Sequence, residues 1–180
     1  DARGNVTTYD WSLHGGMKRV TRIAGPCSSC GGGTGEVTQW EYDQHGRVEA
    51  RIDAEGRRTE YKYDEDSGRV ETENLPLDGH LISYTYHPDG RLWTRTEPNG
   101  KVTTWTYVPA GLESVRETTQ PGEPDRLTTF AYTSSRGLLE TVTDPRGKVT
   151  LFEYDGIGDL LFMTEPLGTA TPAPGDHVTA

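Results

Sequence analysis

The chain has 180 residues, enough for one domain, yet only 32% are hydrophobic and the formal net charge is -10. That balance is low for a globular enzyme and repels a nucleic-acid phosphate backbone, and no stretch is apolar enough to cross a bilayer. With 22 Gly, 11 Pro, nine Tyr and four Trp, the composition disfavours helices and suits pleated strands joined by turns.

The chain opens at Asp1 without a signal-like segment, which reads as a fragment or a processed piece. A turn at Asp1-Ala2-Arg3-Gly4 precedes Tyr9 and Trp11, five and seven residues after the glycine. The same offsets recur at Gly35, Trp40 and Tyr42, at Gly56, Tyr61 and Tyr63, and at Gly79, Tyr84 and Tyr86. They return at Gly100, Trp105 and Tyr107 and at Gly147, Phe152 and Tyr154, while Phe130 and Tyr132 follow an expanded turn at Pro121-Gly122-Glu123-Pro124-Asp125. From Tyr42 to Tyr154 the second aromatic advances by 21, 23, 21, 25 and 22 residues. That period is too short for a propeller blade and right for one hairpin.

Each unit therefore predicts two antiparallel strands and two tight turns. After the aromatics the chain reverses at Gly46, Gly68, Gly90, Gly111, Gly137 and Gly158, as in Tyr42-Asp43-Gln44-His45-Gly46-Arg47. The opposite reversal is typified by Glu97-Pro98-Asn99-Gly100 and Asp144-Pro145-Arg146-Gly147. Proline presets the second turn position, and glycine accepts the left-handed conformation of a type I turn with a bulge. Strand alternation sets Tyr61 and Tyr63 on one face against Glu60 and Lys62, and Val48, Ala50 and Ile52 together against Glu49 and Arg51. If hairpins pair in order, the rings are expected to form ladders across a long antiparallel sheet.

One segment breaks the pattern, Gly25-Pro26-Cys27-Ser28-Ser29-Cys30-Gly31-Gly32-Gly33-Thr34-Gly35, an enlarged glycine-rich turn at 25–35. Cys27 and Cys30 are candidates for a local disulfide or two unpaired thiols. Zinc would need further ligands, for which His14 and His45 are the candidates, and redox chemistry would need a βαβ setting. The five histidines, His14, His45, His80, His87 and His177, fall mostly at turns and read as solvated side chains. Asp43, Asp64 and Asp155 recur at one turn position, where a carboxylate accepts backbone hydrogen bonds, so they read as structural acids and no residue is assigned to catalysis. The aromatic face, Trp105 and Tyr107 included, is a candidate surface for stacking sugars.

The iterated pattern aromatic-Xaa-Tyr-Asp-Xaa-Xaa-Gly-Arg, preceded by Gly-Xaa-Val-Thr-Xaa-aromatic, resembles the YD repeats of RHS proteins, a class including bacterial polymorphic toxins, Tc-toxin cocoon subunits and teneurins. The resemblance covers residues 1–168 and implies an all-β array of consecutive hairpins of about 22 residues, forming a long curved sheet that is one segment of a spiralling shell. It implies a non-catalytic wall that encapsulates and helps deliver a C-terminal toxin, in a secreted or cell-surface bacterial protein, without a cofactor. Implied partners are further YD repeats of the same chain, the enclosed toxin domain, and edge-to-edge copies where sheet edges are left open. The alternatives are a surface adhesion module binding glycans or a partner protein, and a metal or redox protein using Cys27 and Cys30. The pattern weakens at Tyr107-Val108 and Tyr132-Thr133, which lack the Asp, and at Gly111-Leu112 and Gly137-Leu138, which lack the Arg. Asp144-Pro145-Arg146-Gly147 is similar to an autoproteolytic motif of RHS proteins but sits at a repeat turn, and residues 169–180 read as a flexible Pro/Gly tail or linker.

Overall fold

The computed structural model describes residues 6–25, 36–77, 79–118, 124–165 and the backbone of 170–172. Gly4, Gly35, Cys27, Cys30, His177 and most of the expanded turn before Phe130 lie outside the described residues. The chain divides into two compact units, Asp1–Tyr84 and Thr85–Ala180.

In the first unit the strands are β1 (Thr8–His14), β2 (Met17–Ala24), β3 (Val37–Tyr42), β4 (Val48–Ile52), β5 (Arg58–Tyr63), β6 (Val70–Asn74) and β7 (Leu81–Tyr86), whose last two residues belong to the second unit. The second unit holds β8 (Leu92–Thr96), β9 (Val102–Val108), β10 (Gly111–Glu117), β11 (Arg126–Tyr132), β12 (Leu139–Thr143), β13 (Val149–Tyr154), β14 (Leu160–Thr164) and β15 (Ala170–Pro172). In each unit sequence neighbours are sheet neighbours, every recorded pairing is antiparallel, and no helix occurs among the described residues. The fold is all-β, an open antiparallel array of hairpins.

The reversals are built as their residues dictate. At Asp43–Arg47 the Gly46 amide donates to the Asp43 carbonyl at 3.0 Å and the Asp43 amide to the Arg47 carbonyl at 2.9 Å. The same pair of bonds closes Glu97–Lys101 and Asp144–Lys148. Gly46 has φ 77° and Gly147 φ 77°, the left-handed region that a side chain resists. The first hairpin turns more tightly, through Gly15 and Gly16 at φ 56° and 75°, the two-residue reversal that Gly-Gly between alternating strands favours.

A register shift falls directly before the second aromatic in most of the pairs. Tyr42 faces Val48 while Glu41 faces Ala50, so Glu49 is the extra residue of a β-bulge. Tyr63 and Val70, Tyr132 and Leu139, and Tyr154 and Leu160 repeat this, with Glu71, Glu140 and Leu161 as the extra residues. The bulge overturns two expectations drawn from strict alternation. Val48 shares the face of Tyr42, whereas Ala50 lies across from Glu41 and Arg51 across from Trp40. Nor do the rings form an unbroken ladder, because a return strand stands between successive aromatic strands and sets Arg51 opposite Trp40 and Glu73 opposite Tyr61.

Burial is shallow. Among the described residues Ala50 and Ile82 are the buried hydrophobic side chains and Thr103 the buried polar one. Stability then accumulates from many half-covered cross-strand pairs, each contributing about 0.2–1 kcal/mol, instead of from a central core.

Candidate functional surface

The residues that define the repeat are occupied with joining one hairpin to the next. In four of the pairs the second aromatic reaches backward: the Tyr42 hydroxyl donates to the Val20 carbonyl at 2.6 Å and Tyr63 to Val48 at 2.7 Å. Tyr132 donates to Leu112 and Tyr154 to Leu139, both at 2.8 Å. Each accepting residue lies two positions before the first residue of its strand that pairs with the tyrosine's strand: Val20 before Arg22, Val48 before Ala50, Leu112 before Ser114 and Leu139 before Thr141. The bulge ends the backbone ladder there, and the phenol satisfies the carbonyl left over. A bond of this kind contributes about 0.5–1.5 kcal/mol.

The Asp and Arg of the motif form the other half of the joint. Asp43 Oδ1 accepts the amides of His45 and Arg47, both at 2.9 Å, and Oδ2 accepts Arg47 Nε at 2.7 Å. The guanidinium so held lies 4.4 Å over the ring of Tyr63 in the following hairpin, and Arg91 lies 4.4 Å over Tyr107. Burial opposes the charge of Asp43, but the hydrogen bonds from Arg47 and His45 outweigh it and hold the carboxyl below its ordinary range. Ser67 does the same for Asp64, and the amides of Asp159, Ile157 and Gly158 do so for Asp155. Burial raises the Tyr63 phenol, with the nearby Asp43 charge acting in the same direction.

Of the aromatic residues singled out by the repeat, Tyr9 and Trp11 on β1 are about half exposed, at 52% and 50%, while Trp40, Tyr42, Tyr61, Tyr63, Tyr84, Tyr86, Trp105, Tyr107, Phe130, Tyr132, Phe152 and Tyr154 are half-buried. Gly56, Gly68, Gly79, Gly90, Gly100, Gly137 and Gly158 stand at reversals with positive φ, as does Gly111 beside the Tyr132 hydroxyl. Asp144 Oδ1 accepts the amides of Arg146 and Lys148 at 2.8 Å, which makes Asp144–Gly147 a turn. Two histidines depart from the solvated reading. His14 packs 4.9 Å from the Tyr42 ring, and His87 lies between Trp93 and Tyr107. Among the described residues no group of three or more His, Cys, Asp or Glu side chains is arranged to hold a metal ion, and no helix is long and apolar enough to cross a membrane.

An open depression is found in each unit. That of the first unit, about 550 Å³, is rimmed by Asp43, Glu49, Asp64, Glu65, Asp66 and Glu71. That of the second, about 650 Å³, is lined by hydroxyls and short side chains, including Thr104, Thr106, Ser114 and Thr129. The Gly15 and Gly46 turns approach closely, which the repeat pattern does not announce: a Cβ on Gly15 would meet the His45 carbonyl oxygen at 2.5 Å, and one on Gly46 the His14 carbonyl oxygen at 2.8 Å. The Gly15-Gly16 pair was the available signal.

Residues 134–170 match the family model described as RHS Repeat. The chain is similar to human teneurin-4, 30% identical over 138 residues that cover 64% of this chain and 5% of that protein. It is similar also to double-stranded DNA deaminase toxin A of Burkholderia cenocepacia (strain H111), 29% identical over 192 residues, 94% of this chain and 13% of that protein. Among solved structures, TcdB2-TccC3 without its hypervariable C-terminal region superposes with a TM-score of 0.65 at 14% identity, over 90% of this chain and 9% of that one. The likeness to that structure is one of fold, and the chain spans only a small part of each protein it matches.

Proposed function

We propose, from the premise that this chain is built of RHS-type YD repeats, that it is a non-catalytic wall segment of a β-shell that encloses and helps deliver a toxin or effector. One observation carries the reading: residues that define the repeat clip hairpins to their neighbours, the tyrosine at four joints and the aspartate and arginine with it at Asp43, Arg47 and Tyr63. A polar contact that recurs from joint to joint does the work of a fastener, and a wall needs fasteners at regular intervals.

Partners follow from the same geometry. β1 pairs with β2 along one side, and its Tyr9 and Trp11 are more exposed than the matching aromatics further along. Further repeats of the same kind, or an edge-to-edge copy, would cover these two rings and the backbone groups along that side. The enclosed domain belongs to the same chain, and the assembled protein is secreted or displayed at the cell surface.

The test is limited proteolysis of the full-length protein that contains this segment. The cargo domain should resist protease while the wall is intact and become cleavable when Gly46→Val opens a joint. A cargo cleaved equally fast in both proteins would overturn the enclosure.

A further inference from the structure

One hairpin differs from the two before it at two positions that the fold brings together. The residue after the second aromatic is Asp43, then Asp64, then His87. Three residues after the turn glycine the series reads Glu49, Glu71 and then Trp93, followed by Ser114, Glu140 and Leu161. In the earlier hairpins these acids rim one depression. Where both have become aromatic, the His87 and Trp93 rings lie 5.7 Å apart, tilted by 38°, and His87 meets Tyr107 edge-on at 5.6 Å.

The cluster is held in place. His87 Nε2 lies 3.1 Å from the Trp105 carbonyl oxygen. A carbonyl only accepts, so this contact assigns a proton to Nε2 and fixes the plane of the imidazole. Trp93 rests against that plane and remains 47% exposed. Asp89 and Arg91 are joined through Oδ2 and Nη2 at 2.6 Å, each is about half open to solvent, and the guanidinium lies 4.4 Å over Tyr107.

The fold does not require an indole here, since a solvated glutamate occupies the same place in Glu49, Glu71 and Glu140. The open indole face, with two further rings beside it, is therefore available to a ligand. We propose that His87, Trp93 and Tyr107, with Asp89 and Arg91 beside them, form a saccharide-binding subsite. The electron-rich indole face takes the C–H face of a neutral pyranose, while the carboxylate and guanidinium exchange hydrogen bonds with its hydroxyls. A single open ring beside a polar ion pair suits a sugar better than a proline-rich peptide, which uses a groove between parallel aromatics. The internally paired charges and the net charge of -10 favour a neutral sugar over an acidic one. This subsite does not depend on whether the wall encloses a cargo.

The experiment is a titration of the 15N-labelled chain with maltotriose, cellotriose and chitotriose, following the indole N–H signals of its four tryptophans. At least one sugar should shift the Trp93 signal saturably and leave Trp40 unmoved. The double variant His87→Asp/Trp93→Glu, which restores the acids of the two preceding hairpins, should stay folded and bind none of the three. Absence of any saturable Trp93 shift would overturn the proposal, as would undiminished sugar binding by the double variant. A Trp93 response to oligoproline but to no sugar would overturn it in favour of a peptide.

Discussion

In the first unit the sheet face opposite the aromatics is held by charge: Arg58 donates to both Glu41 oxygens at 2.7 and 2.8 Å and to Glu60 at 2.8 Å, and Asn74 extends the row to Glu60. The same face of the second unit is held by hydroxyls, with Thr85 and Thr94 oxygens 2.6 Å apart, Thr106 and Ser114 oxygens 2.8 Å apart, and Ser114, Thr129 and Thr143 opposite one another across three strands. The aromatic face differs too. Trp40 and Tyr61 look across to Arg51 and Glu73, whereas Phe130 and Phe152 look across to Val142 and Met163. What both units share is the tyrosine reaching the carbonyl before the ladder and the glycine turning the chain. The joint is therefore the constant part of the hairpin, and the strand surfaces between joints are free to vary in chemistry.

The largest effect that would break this picture is expected at a turn. Gly46→Ala should cost about 2–3 kcal/mol, combining the left-handed backbone with a Cβ pressed against the His14 carbonyl. Gly147→Ala in the second unit, where no atom lies within 4 Å of the added Cβ, should cost only about 1 kcal/mol. Urea denaturation of the two variants checks the difference, and equal losses would show that the nesting of the first two turns carries no weight.

Next come the tyrosine joints. Tyr63→Phe and Tyr154→Phe each leave a carbonyl unpaired and should each cost about 1 kcal/mol, alike in the two units. A loss confined to one unit, read by amide exchange, would mean that the joint is not the shared device.

A smaller effect is expected from acid. Asp43, Asp64, Asp89 and Asp155 have carboxyls held below the ordinary aspartate value of 3.8. Their contribution is complete above that value and is lost as pH falls through the lower folded values. Melting temperature should therefore be insensitive to these groups between neutrality and about pH 5 and should fall below about pH 4 in both units. A decline beginning near pH 6 would assign the sensitivity to histidine instead.

The smallest effect sharpens the contrast between the units. Arg58→Met removes an exposed ion-pair hub, and exposed pairs are weak and screened by salt. The variant should lose less than either tyrosine variant, and only in the first unit, and the loss should shrink in high salt. An equal loss of protection in the second unit would show that the charged row is not a local feature.

Much of the architecture is legible in the residues. Glycines at fixed offsets from paired aromatics mark every reversal from Gly46 to Gly158 that the structure describes, because left-handed turn positions favour glycine strongly enough to leave a trace in the chain. The bulges are not legible. Val48, Glu49 and Ala50 read as plain alternation, and nothing local says which residue is the extra one, since that is decided by pairing with Glu41 and Tyr42 across the turn. Trp93 lies outside the paired positions that make Trp105 and Tyr107 conspicuous, so its exposure beside His87 leaves no trace in the repeat, whereas Trp105 and Tyr107 are half-buried.

By itself, then, the order of residues determined the all-β class, the hairpin period and the positions of the turns, all of which follow from local backbone preference and the two-residue repeat of a strand. Only the tertiary structure decided what the tyrosines hold, which face each return-strand residue shares, and that His87 meets Trp93. Those outcomes depend on the register between strands that lie 15 to 22 residues apart at the tyrosine joints. A register is settled by the whole pairing of two strands, with its bulge, and no single residue announces it.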